Sequence, residues 1–372
     1  MASATVIAGN DQMLIEILLR LPIKSLIKFK SVSKNWHVLI SSPYFSQLHT
    51  LRHQLHLPNT PPYLLLRASP SRFFYFNPEV NTFLPYDFPF SSPKLLRSCN
   101  GLLLLKCSSP ETAVEDYLIY NPITRQSRKI VLYSDEKNAG TTVLGLSLAF
   151  DPSESPYYKV VCLRTTEYSM YSYQIEVYDS QTCTWNRWGD FMLPYDTKFC
   201  NGVYWKNCIH WIRPTGELFH FNLQYGTLEK RTGALPGSIR AYVAGSETFL
   251  RESNGHLHMM LLLSEAKFLS VWEMRMDKHG WFLKYSVDLN TIPATFAVIS
   301  GQAVSVLDII RGECENDSTL VFHFSGKIMG YWFYTKSFDV FVDLRTDEFY
   351  QPGSLQFGCS DAYQFIETLA PV

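Results

Sequence analysis

From residue 70 onward one phrase recurs six times. An aromatic residue closes an apolar run, a turn of Asn, Asp, Pro, Thr or Gly follows, and an aromatic or basic residue opens the return run. The leading aromatics are Phe76, Tyr120, Tyr178, Phe221, Trp272 and Trp332, spaced 43 to 60 residues apart. Alternating and continuous apolar runs broken by such turns indicate strands. A second marker keeps step with the first: Asn100-Gly101, Asn201-Gly202 and Asn254-Gly255 each precede an apolar run, and the next leading aromatic follows 18 to 20 residues later. Asn-Gly favours tight hairpins because both residues tolerate positive φ. A few strands per unit cannot bury two faces alone, so the units must pack on one another. A period of about 40–50 residues suits propeller blades. The expected fold over residues 70–372 is therefore an all-β propeller of six blades, with a large β-sandwich or two stacked barrels as the alternative. Strict kelch and WD signatures are absent.

Residues 11–50 are patterned differently. Leu14, Ile17, Leu18 and Leu21 fall at i, i+3, i+4 and i+7, one face of a helix. Pro22 ends that helix. A second short helix places Leu26 and Phe29 on one side. A third opens at an expected Ser33 N-cap, groups Trp36, Leu39 and Ile40, and stops at Ser41-Ser42-Pro43. Three such helices are shorter than a chain that usually folds unaided. The apolar stripe is thus expected to exceed what the helices bury themselves and to dock on something else. It could equally be a hairpin packed on the chain's own main domain. Residues 1–10 read as a flexible tail and 51–69 as a linker.

This order of residues resembles the F-box, the module that plugs a substrate receptor into an SCF-type ubiquitin ligase through a Skp-family adaptor. The resemblance rests on Glu16-Ile17-Leu18, Arg20-Leu21-Pro22, Lys24-Ser25-Leu26, Phe29-Lys30, Val32-Ser33-Lys34, Trp36, and Ile40-Ser41-Ser42-Pro43 followed by Phe45. It implies adaptor contacts from Leu14, Ile17, Leu18, Leu21, Pro22, Leu26, Phe29, Val32, Trp36 and Ile40. One departure stands out: Gly9 and Asn10 occupy the places of a Leu-Pro pair that helps grip the adaptor in family members. Farther on, SCNGLLLL with YLIYNPITRQSRKI, LAFDPSESPYYKVVCL, IEVYDSQTCTWNRW, GVYWKNCIHWI with LFHFNLQYGTLEK, and GWFLKYSVDL resemble plant F-box proteins with an F-box-associated, kelch-related β-propeller.

Charge is consistent with a protein partner. Arg20, Lys24, Lys28, Lys30 and Lys34 surround the stripe in a chain of net charge -1. A local basic collar favours an acidic partner, mainly through encounter rate. Burying Leu14, Ile17, Leu18 and Leu21 is worth about 1.5–3 kcal/mol each, before the several kcal/mol that association costs. With Lys+Arg 33 against Asp+Glu 34 there is no global basic field, so nucleic acid is not an expected partner. The first residues have neither a basic start nor an apolar core long enough for a signal peptide. Runs such as Leu257–Leu263 are far below the ~20 residues that span a bilayer, so no membrane association is expected. Eight dispersed cysteines without a CxxC pair read as reduced cytoplasmic or nuclear thiols.

No metal or cofactor is expected, and His256 with His258 reads as a structural pair. No G-x-S-x-G, H-E-x-x-H, phosphate loop or EF-hand run occurs. Asp151, Asp179, Asp343 and Asp347 sit in turn phrases that favour Asp for its local hydrogen bonds. The resemblance implies a receptor without catalytic residues, binding the adaptor, a cullin through it, and an unknown target protein. The target-binding residues are not legible. Segment 167–173 could be a Tyr/Ser/Met recognition loop, although it reads better as a strand, and 134–140 is a plain loop. The rivals are an F-box scaffold working outside the ligase and a propeller enzyme, the latter requiring a carboxylate cluster in the central channel.

Overall fold

A computed structural model describes residues 11–56, 63–69, 72–78, 82–108, 115–132, 141–166, 169–192, 199–213, 217–231, 247–263, 267–275, 280–293, 304–312, 317–346 and 361–372. Gly9 and Asn10, the 134–140 loop, Glu167, Tyr168 and Asp347 lie outside the described residues.

Among the described residues, four helices come first: α1 (Asp11–Leu18), α2 (Ile23–Phe29), α3 (Lys34–Ser41) and α4 (Pro43–His56). Ser33 caps α3, its side chain accepting from the Trp36 amide at 3.2 Å. The fourth helix corrects the sequence reading of Ser41-Ser42-Pro43 as a plain stop. Ser42 Oγ accepts from the Phe45 amide at 3.2 Å and Pro43 occupies the first helical position, so the same residues start a new helix. The span read as a linker likewise contains the end of α4 and strand β1 (Tyr63–Ser69).

Strands β1–β24 form six four-stranded antiparallel sheets. Five are sequential: β4–β7, β8–β11, β12–β15, β16–β19 and β20–β23. The remaining sheet has the order β24-β1-β2-β3, so the last strand, β24 (Ala362–Phe365), pairs with β1 and closes the ring between the two ends of the domain. The first strands of the blades, β4 (Pro93–Cys99), β8 (Val143–Ala149), β12 (Val203–Trp205), β16 (Glu247–Ser253), β20 (Val304–Ile310) and β24, touch one another in succession around the centre.

The six core clusters of the propeller each lie between two neighbouring blades. Isoleucines, leucines and aromatics of one sheet interlock with those of the next, which is why a single blade could not stand alone. Burial follows position within the blade. The second strand, sandwiched on both faces, is a continuous apolar run, as in Leu102–Leu105, all fully buried. The outer strand Thr184–Met192 alternates exposed and half-buried residues. Segment 169–173 is the start of β10 (Ser169–Asp179), so the strand reading holds there.

The recurrent phrase has a physical basis. Asn121, Asp179 and Asn222 accept the amide of the residue two further on, at 2.8–2.9 Å. Four residues after each comes a left-handed position: Arg125, Cys183 and Gly226. Phe76, Tyr120, Tyr178 and Phe221 lie on the third strands of their blades, buried. Two of the six leading aromatics are corrected. Lys336 is left-handed and its amide bonds to the Trp332 carbonyl, which places Trp332 in the Asx position and Tyr331 in the aromatic one. In the fifth blade the equivalent residue is Met274, opposite Trp281, with Trp272 two residues earlier on the same face.

The Asn-Gly marker also splits. Asn100-Gly101 and Asn254-Gly255 are hairpin turns between first and second strands, with positive φ at all four residues. Asn201-Gly202 instead precedes the first strand of its blade, and Lys206-Asn207, at φ 48° and 56°, makes the corresponding hairpin. Gly202 is there for space: a Cβ would lie 2.2 Å from Ser147 Oγ and 2.6 Å from Trp211 Nε1.

Candidate functional site

The helical module does bury most of its stripe, contrary to the expectation from chain length. Leu14, Leu18, Leu19, Leu26, Ile40 and Phe45 form a closed core with Leu369, a residue from the far end of the chain. Two things supply the missing volume: α4, which brings Phe45 and Leu48, and the segment after β24. Of the expected adaptor contacts, Leu14, Leu18, Leu26 and Ile40 are therefore interior residues that hold the module together. A charge placed at Leu18 would test folding rather than docking. Leu21, Phe29 and Trp36 are half-buried at the core's edge, the last two in an edge-to-face pair with centroids 5.6 Å apart. Pro22 is exposed.

What remains open is a narrower surface. Ile17 is 45% exposed and Val32 59%, and they are joined by Met13 (46%) and Val38 (68%), which the sequence reading passed over. Met13 and Ile17 lie one turn apart on α1, at the solvent edge of the stripe rather than at its centre. That four-residue spacing is present in the sequence, but the stripe read there groups Ile17 with the buried leucines and omits Met13. Arg20, Lys24, Lys28 and Lys34 are exposed around the module, and Lys24 pairs with Glu367 at 3.5 Å. Beneath, His49 is buried, with Nε2 3.0 Å from the Leu21 carbonyl. Burial pushes its pKa down to about 4, so at neutral pH it is uncharged and donates that bond.

The propeller's channel is the second candidate. A cavity of about 130 Å³ is lined by the inner strands, with Arg97, Asn201, Tyr204, Arg251, Glu252, Asp308 and Gln364 supplying the polar wall. Asp308 accepts from the Ile309 amide (2.8 Å) and Gln364 Nε2 (3.1 Å) and lies 3.5 Å from Arg251, tying three blades together. Glu252 accepts from the Gly255 amide at 2.8 Å. Burial raises Glu252 to about 7 and Asp308 to about 6. The turn carboxylates keep local roles: Asp151 accepts from the Ser153 amide, Asp179 from that of Gln181, and Asp343 from that of Arg345.

His256 and His258 meet Glu273, unrecognised in the sequence, at 3.1 and 3.4 Å, and Arg311 of the next blade also reaches it. Burial alone would raise the Glu273 carboxyl, but the two imidazoles and the guanidinium outweigh it and hold the group well below the usual range. Burial lowers His258 despite that carboxylate. This cluster is a seam between the fifth and sixth blades.

The site thus consists of a closed helical module with exposed apolar side chains, seated on a six-bladed ring. Comparisons with known proteins agree. The F-box domain model matches residues 10–48 and the F-box associated beta propeller domain model residues 84–233. F-box protein At5g07610 of Arabidopsis thaliana is 30% identical over all of this chain and 94% of its own length. F-box protein At5g49610 (28%) and F-box/kelch-repeat protein At5g43190 (30%), from the same plant, each align with 76% of the chain and with 79% and 68% of themselves. The chain belongs to the F-box proteins that carry an F-box-associated β-propeller.

Proposed function

We propose that the chain is the substrate-recognition subunit of an SCF-type ubiquitin ligase. The helices capture a Skp-family adaptor, and a cullin through it, while the propeller presents a target protein. Ubiquitin transfer then falls to other subunits, and this chain contributes proximity rather than a reacting group. The observation that carries this reading is that Met13 and Ile17, one turn apart on α1, and Val32 and Val38 stay exposed on a module whose core of Leu14, Leu18, Leu26 and Ile40 is sealed, with exposed basic side chains on the same helices. Apolar surface rimmed by charge marks interaction sites. Asp308 Oδ1 is held by the Ile309 amide and by Gln364 of the neighbouring blade, which supports a structural part for this channel carboxylate. No helix among the described residues is long and apolar enough to cross a membrane.

The test is reconstitution. Full-length protein should co-purify with a Skp-family adaptor and, in its presence, with a cullin. A Met13→Asp/Ile17→Asp variant with an unchanged melting curve should lose both. Capture of adaptor without cullin would support the scaffold reading instead, and undiminished capture by the variant would refute the assignment of these exposed residues.

A further inference from the structure

The segment after β24 is not a trailing end. Its residues alternate between two neighbours, as an extended chain does. Glu367 and Leu369 face the helices: the first pairs with Lys24 at 3.5 Å, and the second is buried among Leu14, Leu18, Leu26, Ile40 and Phe45. Thr368, Ala370 and Val372 face the propeller. The Thr368 and Ala370 carbonyls accept from the buried Asn121 Nδ2 at 3.1 and 2.8 Å. Ala370 and Val372 pack into the core between the second and third blades. Gly101 backs the same segment closely, since a Cβ there would lie 2.3 Å from the Ile366 carbonyl oxygen. Beside it, Gln47 of α4 donates to the Glu154 carbonyl at 3.2 Å. The segment therefore shares one hydrophobic core with the docking module and another with the ring.

We propose that residues 367–370 are a positioning strap: Leu369 completes the docking module and Asn121 clamps the strap to the second blade, fixing the adaptor-capturing surface at one angle to the target-presenting ring. This rests on the function proposed above, because a receptor that works by proximity gains from a rigid link between its two surfaces. A flexible tether would spread the same two sites over many separations and lower their effective concentration. Leu369 and Asn121 touch neither partner in this account. They are positioning residues.

Two readouts that need no adaptor test the strap, so its failure can be told from failure of the ligase reading. Hydrogen exchange of α1–α3 in Leu369→Ala should accelerate on the order of a hundredfold, the scale of a large-to-small core change, with the propeller strands unaffected and Leu369→Met restoring protection. Spin labels on genetically encoded residues at Lys34 and Glu229 should give one narrow distance in the parent. Asn121→Asp keeps the acceptor used by the Ile123 and Thr124 amides but turns the donor against two carbonyls, so the distribution should broaden while helix protection is retained. A chain ending at Ile366 should show both effects and guards against misfolding of either point variant. Unchanged exchange in Leu369→Ala, or a distribution as narrow as the parent's in Asn121→Asp and in the shortened chain, would overturn the proposal.

Discussion

Adjacent residues on α1, Leu18 and Ile17, should fail in opposite ways. Leu18 is 0% exposed, so Leu18→Ala opens a cavity that typically costs about 2–5 kcal/mol. A module of this length has on the order of 2–7 kcal/mol of stability in all, so the helices should melt separately from, and well below, the propeller. Ile17 keeps 45% of its surface in water. Burying the rest against an adaptor is worth about 1 kcal/mol, taking that fraction of the full transfer value, so Ile17→Ala should weaken binding about fivefold. Ile17→Asp adds the desolvation of a carboxylate and should weaken it about a hundredfold or more, with melting unchanged. Calorimetric titration with a Skp-family adaptor and differential scanning of the free protein read the two effects separately. The reasoning fails if Ile17→Asp binds like the parent, or if Leu18→Ala loses binding without any change in melting.

Glu273→Ala should destabilise the propeller by about 3–5 kcal/mol, because it strands the partly buried Arg311 beside two imidazoles; a denaturant midpoint equal to the parent's would contradict the seam. Gly101→Ala should cost at least about 1–3 kcal/mol, since φ is +88° and the new Cβ meets the Ile366 carbonyl oxygen and the Thr368 side chain, and thermal denaturation measures it. The helices should also weaken in acid. The folded pKa of His49 is depressed to about 4, so unfolded protein binds the proton more readily; stability is full above the unfolded value of about 6.5 and falls as pH drops toward the folded one, by about 2 kcal/mol at pH 5. Exchange of α4 at pH 5 and 7, corrected for intrinsic rate, should show that difference in the parent and little of it in His49→Gln.

The repeat was legible because each turn carries its own chemistry. An Asx side chain bonding two residues ahead and a left-handed residue four positions on are local requirements, written wherever the chain must reverse. Where a blade used other residues for the same turn, as at Tyr331-Trp332 and Met274, the phrase slipped by one or two positions. The Asn-Gly of 201–202 misled because a glycine needed for clearance from Trp211 looks the same in text as one needed for positive φ.

Sequence by itself determined the two kinds of element, the number of blades and the family, since these depend on periodicity and turn residues close together in the chain. Only the tertiary structure decided which apolar side chains are core and which are left for a partner. Leu18 and Ile17 are neighbours of similar hydrophobicity, and what separates them is the cluster that packs on Leu18, which draws in Phe45 of α4 and Leu369 from about 350 residues away. Burial is a property of what comes to rest against a face, and for Leu18 that neighbour becomes known only once the chain has folded back on itself.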